Sequence, residues 1–320
     1  MSAQPRIACV VATVGRPVHL DTLLRSLADQ TLPPSHVIVV DQSTDTRTAD
    51  VIDTWRDRLP LRRLTSARGL SLGRNTGLAA LDDDYDIATF PDDDVRLAPD
   101  ALANAAAAFA TGHQIGAVSG ALITPSGRLD RQKAPARPTP LTERTVWVAA
   151  EGATSVRSAF LRSVGGFDET LGVGNPTPWQ SGEGTDLLLR GLRAGWTILF
   201  DPAIAVHETC DEDGPAEPRC RAKARHYARG TGRVHRRHHG IRRQLTSVLR
   251  PLGGLLLCSV TGRGAEARWH WQRALGRAEG LTGHVLPYSA MPEPLEQRRF
   301  RDGAPAHGPD GAVKDRAMKR

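Results

Sequence analysis

The sequence predicts an α/β fold, a mostly parallel sheet with helices on both faces, followed by a basic and mostly helical extension. Three observations carry this. Short apolar runs rich in β-branched residues alternate with segments whose leucines or alanines recur at helical spacing, the pattern of strand–helix–strand units. Two of those runs end in carboxylates, at Asp41 and at Asp92, Asp93 and Asp94. The carboxyl ends of such strands open on the crevice where ligands sit. Between residues 219 and 250 there is no Asp or Glu, so the positive balance of the chain, +7 over 320 residues, is concentrated late.

Each element follows in order. Residues 7–12 form a short apolar run, read as a buried first strand, and the small residues after it form a loop. Pro17 opens a helix in which Leu20, Leu23, Leu24 and Leu27 fall on one face. Residues 36–41 are the second strand, again ending in a carboxylate. Asp41 then shares the crevice edge with Thr13, although a helix cap or turn former is its structural alternative. A helix over 48–59 and a strand over 61–64 come next. Residues 67–78 contain Arg68, Arg74, Asn75 and three glycines, which suits a backbone that approaches a diphosphate closely and presents guanidinium groups. The segment has no Walker lysine and no GxGxxG pattern.

Residues 87–90 read as a buried strand running into the carboxylates of Asp92, Asp93 and Asp94. Like charges about 4 Å apart repel by roughly 4 kcal/mol at an intermediate dielectric, so a clustered triplet faces water or binds cations. Asp82, Asp83 and Asp84 are equally acidic but stand between a helix and the next strand, where a solvated turn suffices. Position, not composition, separates the two triplets. At a strand end, carboxylates can hold a hard divalent cation against a phosphorylated substrate.

The succession of residues 11–17, 39–45, 74–77 and 92–94, in that order and spacing, resembles glycosyltransferase family 2 with its GT-A fold, a Rossmann-like sheet. The resemblance implies that Thr13, Arg16 and Asp41 lie at the nucleotide, with Arg68, Arg74, Asn75 and Asp93 beside the nucleotide sugar. Asp92 and Asp94 form its D-x-D pair, Asp92 towards the ribose and Asp94 on a divalent metal, Mn²⁺ or Mg²⁺. Gln42 departs from the family, which usually has a second Asp there, and this bears on base or donor preference.

A helix over 97–110, a strand over 115–119, a polar surface excursion over 127–140 and a return to the core at 146–150 follow. Residues 157–169 closely resemble the family segment that precedes the acceptor site. Residues 171–182, rich in Gly and Pro, read as a mobile acceptor loop in which Trp179 either stacks on the acceptor or fills core. A helix then opens with Glu183 and Asp186, and acidic residues in a first turn are favoured by the helix dipole alone. The family pattern at this point is Glu-Asp-x-Asp-Leu, whose first Asp is the general base. Aligning on Asp186 and Leu187 puts Gly184 at that position. Either Glu183 serves as base, or Asp186 does, or the protein binds donor without efficient transfer; Glu183 is preferred. Residues 196–202 and 203–207 read as two closing strands, and the resemblance makes His207 the partner of Asp94 at the metal.

The expected organisation is a GT-A domain over 1–208, with a nucleotide-sugar half to about 120 and an acceptor half beyond it. A basic helical extension over 209–288 and a disordered tail over 289–320 follow. The basic stretch, with Leu252, Leu255, Leu256, Leu257 and Val260 nearby, suits peripheral contact with an anionic membrane better than nucleic acid. His238 and His239 lack partners at zinc-like spacing. Cys9, Cys210, Cys220 and Cys258 show no CxxC pair or disulfide framework, and no window is apolar enough to span a membrane. Together these place the protein in the cytoplasm or on the inner face of a membrane. The predicted function is metal-dependent inverting transfer of a sugar from a nucleoside diphosphate sugar, UDP-linked, to a hydroxyl of a glycan, lipid-linked saccharide or small molecule, as in polysaccharide biosynthesis. The alternatives are a nucleotidyltransferase and a donor-binding or polyanion-binding protein without catalysis.

Overall fold

The computed structural model describes residues 4–82, 84–129, 134–210 and 214–289. Asp83 and all but the first residue of the expected tail lie outside the described residues. The elements are β1 (Ile7–Thr13), α1 (Pro17–Ala28), β2 (His36–Asp41), α2 (Arg47–Thr54), β3 (Leu61–Thr65), α3 (Leu70–Ala79), β4 (Ile87–Thr89), β5 (Val95–Leu97) and α4 (Ala101–Ala110). They continue with β6 (Ile115–Ile123), β7 (Thr139–Leu141), β8 (Thr154–Arg157), α5 (Ser158–Val164), α6 (Glu183–Arg193), β9 (Thr197–Glu208), α7 (Pro218–His238), α8 (Ile241–Val260) and α9 (Gly264–Thr282).

The strands form one sheet in the order β3-β2-β1-β4-β8-β6-β9-β5, with β7 paired to β9. Strands β3, β2, β1 and β4 are parallel to one another. Strand β8 enters antiparallel between β4 and β6, so the sheet is mixed where a mostly parallel one was expected. Alternation along β1 and β2 splits the core in two. Ile7, Cys9, Val11, Val37 and Val39 pack with the leucines of α1, Ile52 of α2 and the alanines of α4. Ala8, Val10, Ile38 and Val40 face the other way, towards Phe160 of α5 and Leu187, Leu188 and Leu189 of α6. Both faces of the central strands are thereby covered, which explains their unbroken apolar character.

Several boundaries differ from expectation. Residues 70–79, which had no element assigned to them, form a helix, because Gly77 lets α3 lie on the sheet with no Cβ to strike Val10. The helix expected over 48–59 ends at Thr54, where Trp55 turns into the core. The start of the helix expected at 97 is instead β5, which pairs with β9. The two closing strands are one, β9, with a register irregularity opposite Ser119 and Ala121.

The extension is built on a close helix crossing. A Cβ at Gly276 or Gly280 would strike the carbonyl oxygens of Arg225 and Arg229, so only glycine allows α9 to approach α7 this nearly. Glu279 lies in the seam, accepting from Arg225 and, at 2.7 Å, from Arg229. Helix α7 also packs on the elements that precede residue 208. Ser181 Oγ donates to the Tyr227 carbonyl at 2.7 Å, and Val234 belongs to the α6 side of the core. Packing is therefore continuous across residue 208.

Candidate active site

The acidic turn sits between β4 and β5, beside the carboxyl end of β1. Asp93 is buried and turned inward. It accepts from Thr13 Oγ1 at 2.6 Å and from Arg16 at 2.8 Å. The same Arg16 nitrogen donates to Asp94 at 2.8 Å, so one guanidinium neutralises two neighbouring carboxylates. Burial among other carboxylates raises Asp93 above the ordinary range despite Arg16. Asp93 therefore braces the turn, held by Thr13 and Arg16, and does not line its open side. Asp92 and Asp94 keep accessible edges, with side-chain exposures of 39% and 37%. Asp92 lies deep enough in the crevice that exclusion of bulk water lifts it to about 6, with Arg74 opposing and Asp94 adding to the rise. The Asp94 carbonyl accepts from Thr209 N at 3.1 Å and Oγ1 at 2.7 Å, which staples the turn to the end of β9.

Asp41 ends β2 directly opposite Thr13 of β1. Its carboxylate is buried, accepting from Ser43 N at 2.9 Å and from both Nε and Nη2 of Arg63 at 3.1 and 2.8 Å. Arg63, absent from the sequence reading, closes this edge. Gln42 is turned into the fold. Its amide grips the backbone of Gly69, receiving the N–H at 3.2 Å and donating to the carbonyl at 2.9 Å. Arg68 is exposed on the adjacent turn. Asn75 clasps Phe167, donating to its carbonyl and accepting from its N–H, both at 2.9 Å, and so ties α3 to the turn that follows α5. That contact is a packing one.

Arg74 is the hub of the crevice. It is buried, donates to Asp92 at 3.0 Å, lies 3.5 Å from both Glu151 and Glu183, and stands 5.2 Å above the Phe167 ring. Three carboxylates hold it protonated although burial opposes its charge.

The first turn of α6 carries Glu183 and Asp186, the two carboxyls expected to serve as base. The Glu183 side chain is 3% exposed, and its Oε2 is buried without a hydrogen-bond partner. Burial first, and then the adjacent carboxyl of Glu151, push Glu183 well above the ordinary range. Glu151 was not legible as a site residue. It follows the apolar run at 146–150 and reaches α6, where its Oε1 accepts the Gly184 N–H at 3.1 Å. Asp186 is different. Its buried carboxylate accepts from Arg190 at 2.9 Å, Arg237 at 3.1 Å and His238 at 2.7 Å. Although burial opposes ionisation, these donors hold Asp186 down at about 2. A carboxylate so saturated and so acidic is a poor proton acceptor, which turns the reading of Asp186 from base to brace.

Trp179 packs against the core on the α6 side, and Arg233 of α7 stands 5.4 Å over its ring. The loop around it is internally bonded rather than loose. Gln180, for example, donates to the Asn175 carbonyl at 3.0 Å and accepts from Gly174 N at 2.9 Å. His207 lies on β9, in register with Arg96 of β5 and Ile123 of β6, two residues before the Thr209 that holds Asp94. Among the described residues no three His, Cys, Asp or Glu side chains form a cage for a metal ion. A hard cation bound through one or two carboxylates and the phosphates of its substrate needs no such cage. The half-open Asp94 carboxylate fits that kind of site.

Residues 8–165 match the sequence model of the family described as Glycosyl transferase family 2. Among solved structures, the fragment 1–349 of TarS from S. aureus is similar over 89% of this chain and 94% of its own, with 17% identity and a TM-score of 0.55. The same fragment in complex with UDP-GlcNAc gives 18% identity and a TM-score of 0.55. The chain spans 55% of a longer TarS structure. The mannosyltransferase PcManGT from Pyrobaculum calidifontis, in complex with GDP-Man and Mn²⁺, is similar over 89% of each chain, with 16% identity and a TM-score of 0.61. At these identities the structures speak for the fold. No curated protein matches the chain. The family match runs from β1 to the end of α5 and takes in the acidic turn, Arg16, Arg74 and Glu151, so the chain belongs to glycosyltransferase family 2 and is a glycosyltransferase of GT-A fold.

Proposed function

We propose that this enzyme transfers a sugar from a nucleoside diphosphate sugar, UDP-linked, to a hydroxyl of a glycan or lipid-linked saccharide, with inversion at the anomeric carbon. The observation that carries the reading is the crevice at the carboxyl ends of β1 and β4. There Asp92 and Asp94 keep open carboxylate edges, Arg16 and Arg74 offset their charge, and a protonatable carboxyl stands at the head of α6. Nucleoside diphosphate sugars bound to the structural neighbours support this class of donor.

In this reading Thr13 and Asp41 border the nucleotide base, Asp92 meets the ribose, and Arg68 lies towards the diphosphate. Asp94 and His207 would hold Mn²⁺ or Mg²⁺, which supplies Lewis-acid stabilisation of the departing diphosphate. Fixing the donor against the sheet edge removes motion that would otherwise oppose reaction. The acceptor oxygen bonds to the anomeric carbon as the bond to the diphosphate oxygen breaks, and the hydroxyl proton passes to a carboxylate at the head of α6.

A cytoplasmic enzyme working on a lipid-linked acceptor would meet it at an anionic membrane. Helix α8 supports this. Ile241, Leu245, Leu249, Leu256 and Val260 lie on one exposed face, with Arg242 and Arg250 beside them. A helix with an exposed apolar stripe and basic flanks suits the interface of a bilayer. No helix among the described residues is long and apolar enough to cross one.

A panel of nucleoside diphosphate sugars, each with Mn²⁺ or chelator, tests the donor reading through thermal shift and release of free nucleoside diphosphate. Stabilisation by one donor, larger with Mn²⁺ and accompanied by slow release, is expected. No shift with any donor would overturn it.

A further inference from the structure

We propose that Glu151 is the catalytic base of this enzyme, occupying from a neighbouring segment the space that a side chain at position 184 would fill. This deepens the transfer reading above and rests on it. The geometry is specific. Gly184 lies in the first turn of α6, and a Cβ built on it would stand 2.6 Å from Glu151 Cγ, 2.8 Å from Cδ and 3.0 Å from Oε1. The carboxyl group that position 184 lacks is thus delivered to the same place by the residue before Gly152.

Three further observations separate Glu151 from its neighbours. Its side chain is 28% exposed, whereas that of Glu183 is 3% exposed, so Glu151 is the member of the pair that an acceptor can reach. Oε1 accepts the Gly184 N–H at the positive end of α6, and Oε2 lies 3.5 Å from Arg74, so the carboxylate is oriented at both oxygens. Glu183, with a buried oxygen that has no hydrogen-bond partner and a carboxyl raised by burial and by the neighbouring Glu151, is placed to keep its proton. Two carboxyls in contact do not both ionise readily, and the buried one is the natural holder of the proton. In transfer, the acceptor O–H bond breaks as oxygen bonds to the anomeric carbon, its proton goes to Glu151, and the electron pair of the glycosidic bond leaves on the diphosphate.

The test moves the base back. UDP-GlcNAc and GDP-Man serve as donors with water as acceptor, and nucleoside diphosphate release is measured for wild type, Glu151→Gln, Glu151→Ala, Gly184→Asp and the double variant Glu151→Ala with Gly184→Asp. Glu151→Gln keeps an oxygen to accept the Gly184 N–H, so a purely structural role predicts little change. Loss of kcat by 100-fold or more with donor KM unchanged is expected. Gly184→Asp alone should fail because of the overlap with Glu151, while the double variant should recover at least tenfold over Glu151→Ala. Turnover of Glu151→Gln within threefold of wild type would overturn the proposal, as would a double variant no better than Glu151→Ala at equal folded fraction. A wild-type protein that neither donor stabilises would instead overturn the donor reading, so the two failures are distinguishable.

Discussion

Asp186 Oδ1 lies 2.7 Å from His238 Nε2, a contact that fastens α6, whose first turn Glu151 meets at Gly184, to the end of α7. Arg237 reaches the same carboxylate oxygen, and Arg190 takes the other. The basic extension is thus part of what holds α6 in place. Asp186→Asn should lower stability by roughly 2–4 kcal/mol, because removing one partner leaves the others uncompensated. Denaturant unfolding reads this directly, and kcat per folded molecule should fall far less than in Glu151→Gln. The sign with pH follows from an acid held at about 2, below its ordinary value. Its contribution is present above the ordinary carboxylate range and is lost as pH falls towards 2.

The seam between α7 and α9 depends on one anion. Glu279 is buried and serves both Arg225 and Arg229. Glu279→Ala should cost about 3–5 kcal/mol by stranding two buried guanidinium groups. A chemical denaturation midpoint unchanged from wild type would contradict that role.

His235 should make stability sensitive to mild acid. Its ring stacks on Trp147 with centroids 4.3 Å apart and planes 10° from parallel. Burial first, then His239, Arg277 and Arg243, depress it to about 3. The folded chain therefore refuses a proton that the unfolded chain accepts below about 6.5. Stability from this site is complete above that pH and declines below it, by on the order of 2 kcal/mol after solvent screening. Melting temperatures of wild type and His235→Phe at pH 7.5 and 5.0 should show the smaller acid loss in the variant.

The stripe on α8 predicts vesicle binding. Leu249→Glu and Leu256→Glu together should abolish co-sedimentation with vesicles containing anionic lipid while leaving donor hydrolysis in solution unchanged. Equal recovery of wild type in the supernatant with and without anionic lipid would sink the membrane reading.

Much of the fold was legible because its signals are periodic. The leucines of α1 and the apolar run of β2 lie where spacing put them, and β2 ends at Asp41 as read. Helix α3 was not legible, since glycine reads as loop unless the strand it packs against is known, here Val10 on β1. The acidic turn was visible as a carboxylate cluster at a strand end. The family resemblance singled out Asp92 and Asp94 as a pair, and these two stay open; what it did not show is that Asp93, expected beside the nucleotide sugar, turns inward on Thr13 and Arg16. Arg63 and Glu151 were invisible for another reason. Their partners, Asp41 and Gly184, are 22 and 33 residues away, and only folding brings them together. The one signal available was Gly184 itself, whose missing carboxylate asks for a replacement from elsewhere.

The most direct test of the account is calorimetric titration of UDP-GlcNAc and GDP-Man into wild type and Asp94→Asn, with Mn²⁺ and with chelator. Saturable binding of at least one donor to wild type, strengthened by Mn²⁺, is expected, with loss of that strengthening in Asp94→Asn. Equal affinity in both proteins with and without metal, or no binding to either, would contradict a donor site built on the acidic turn.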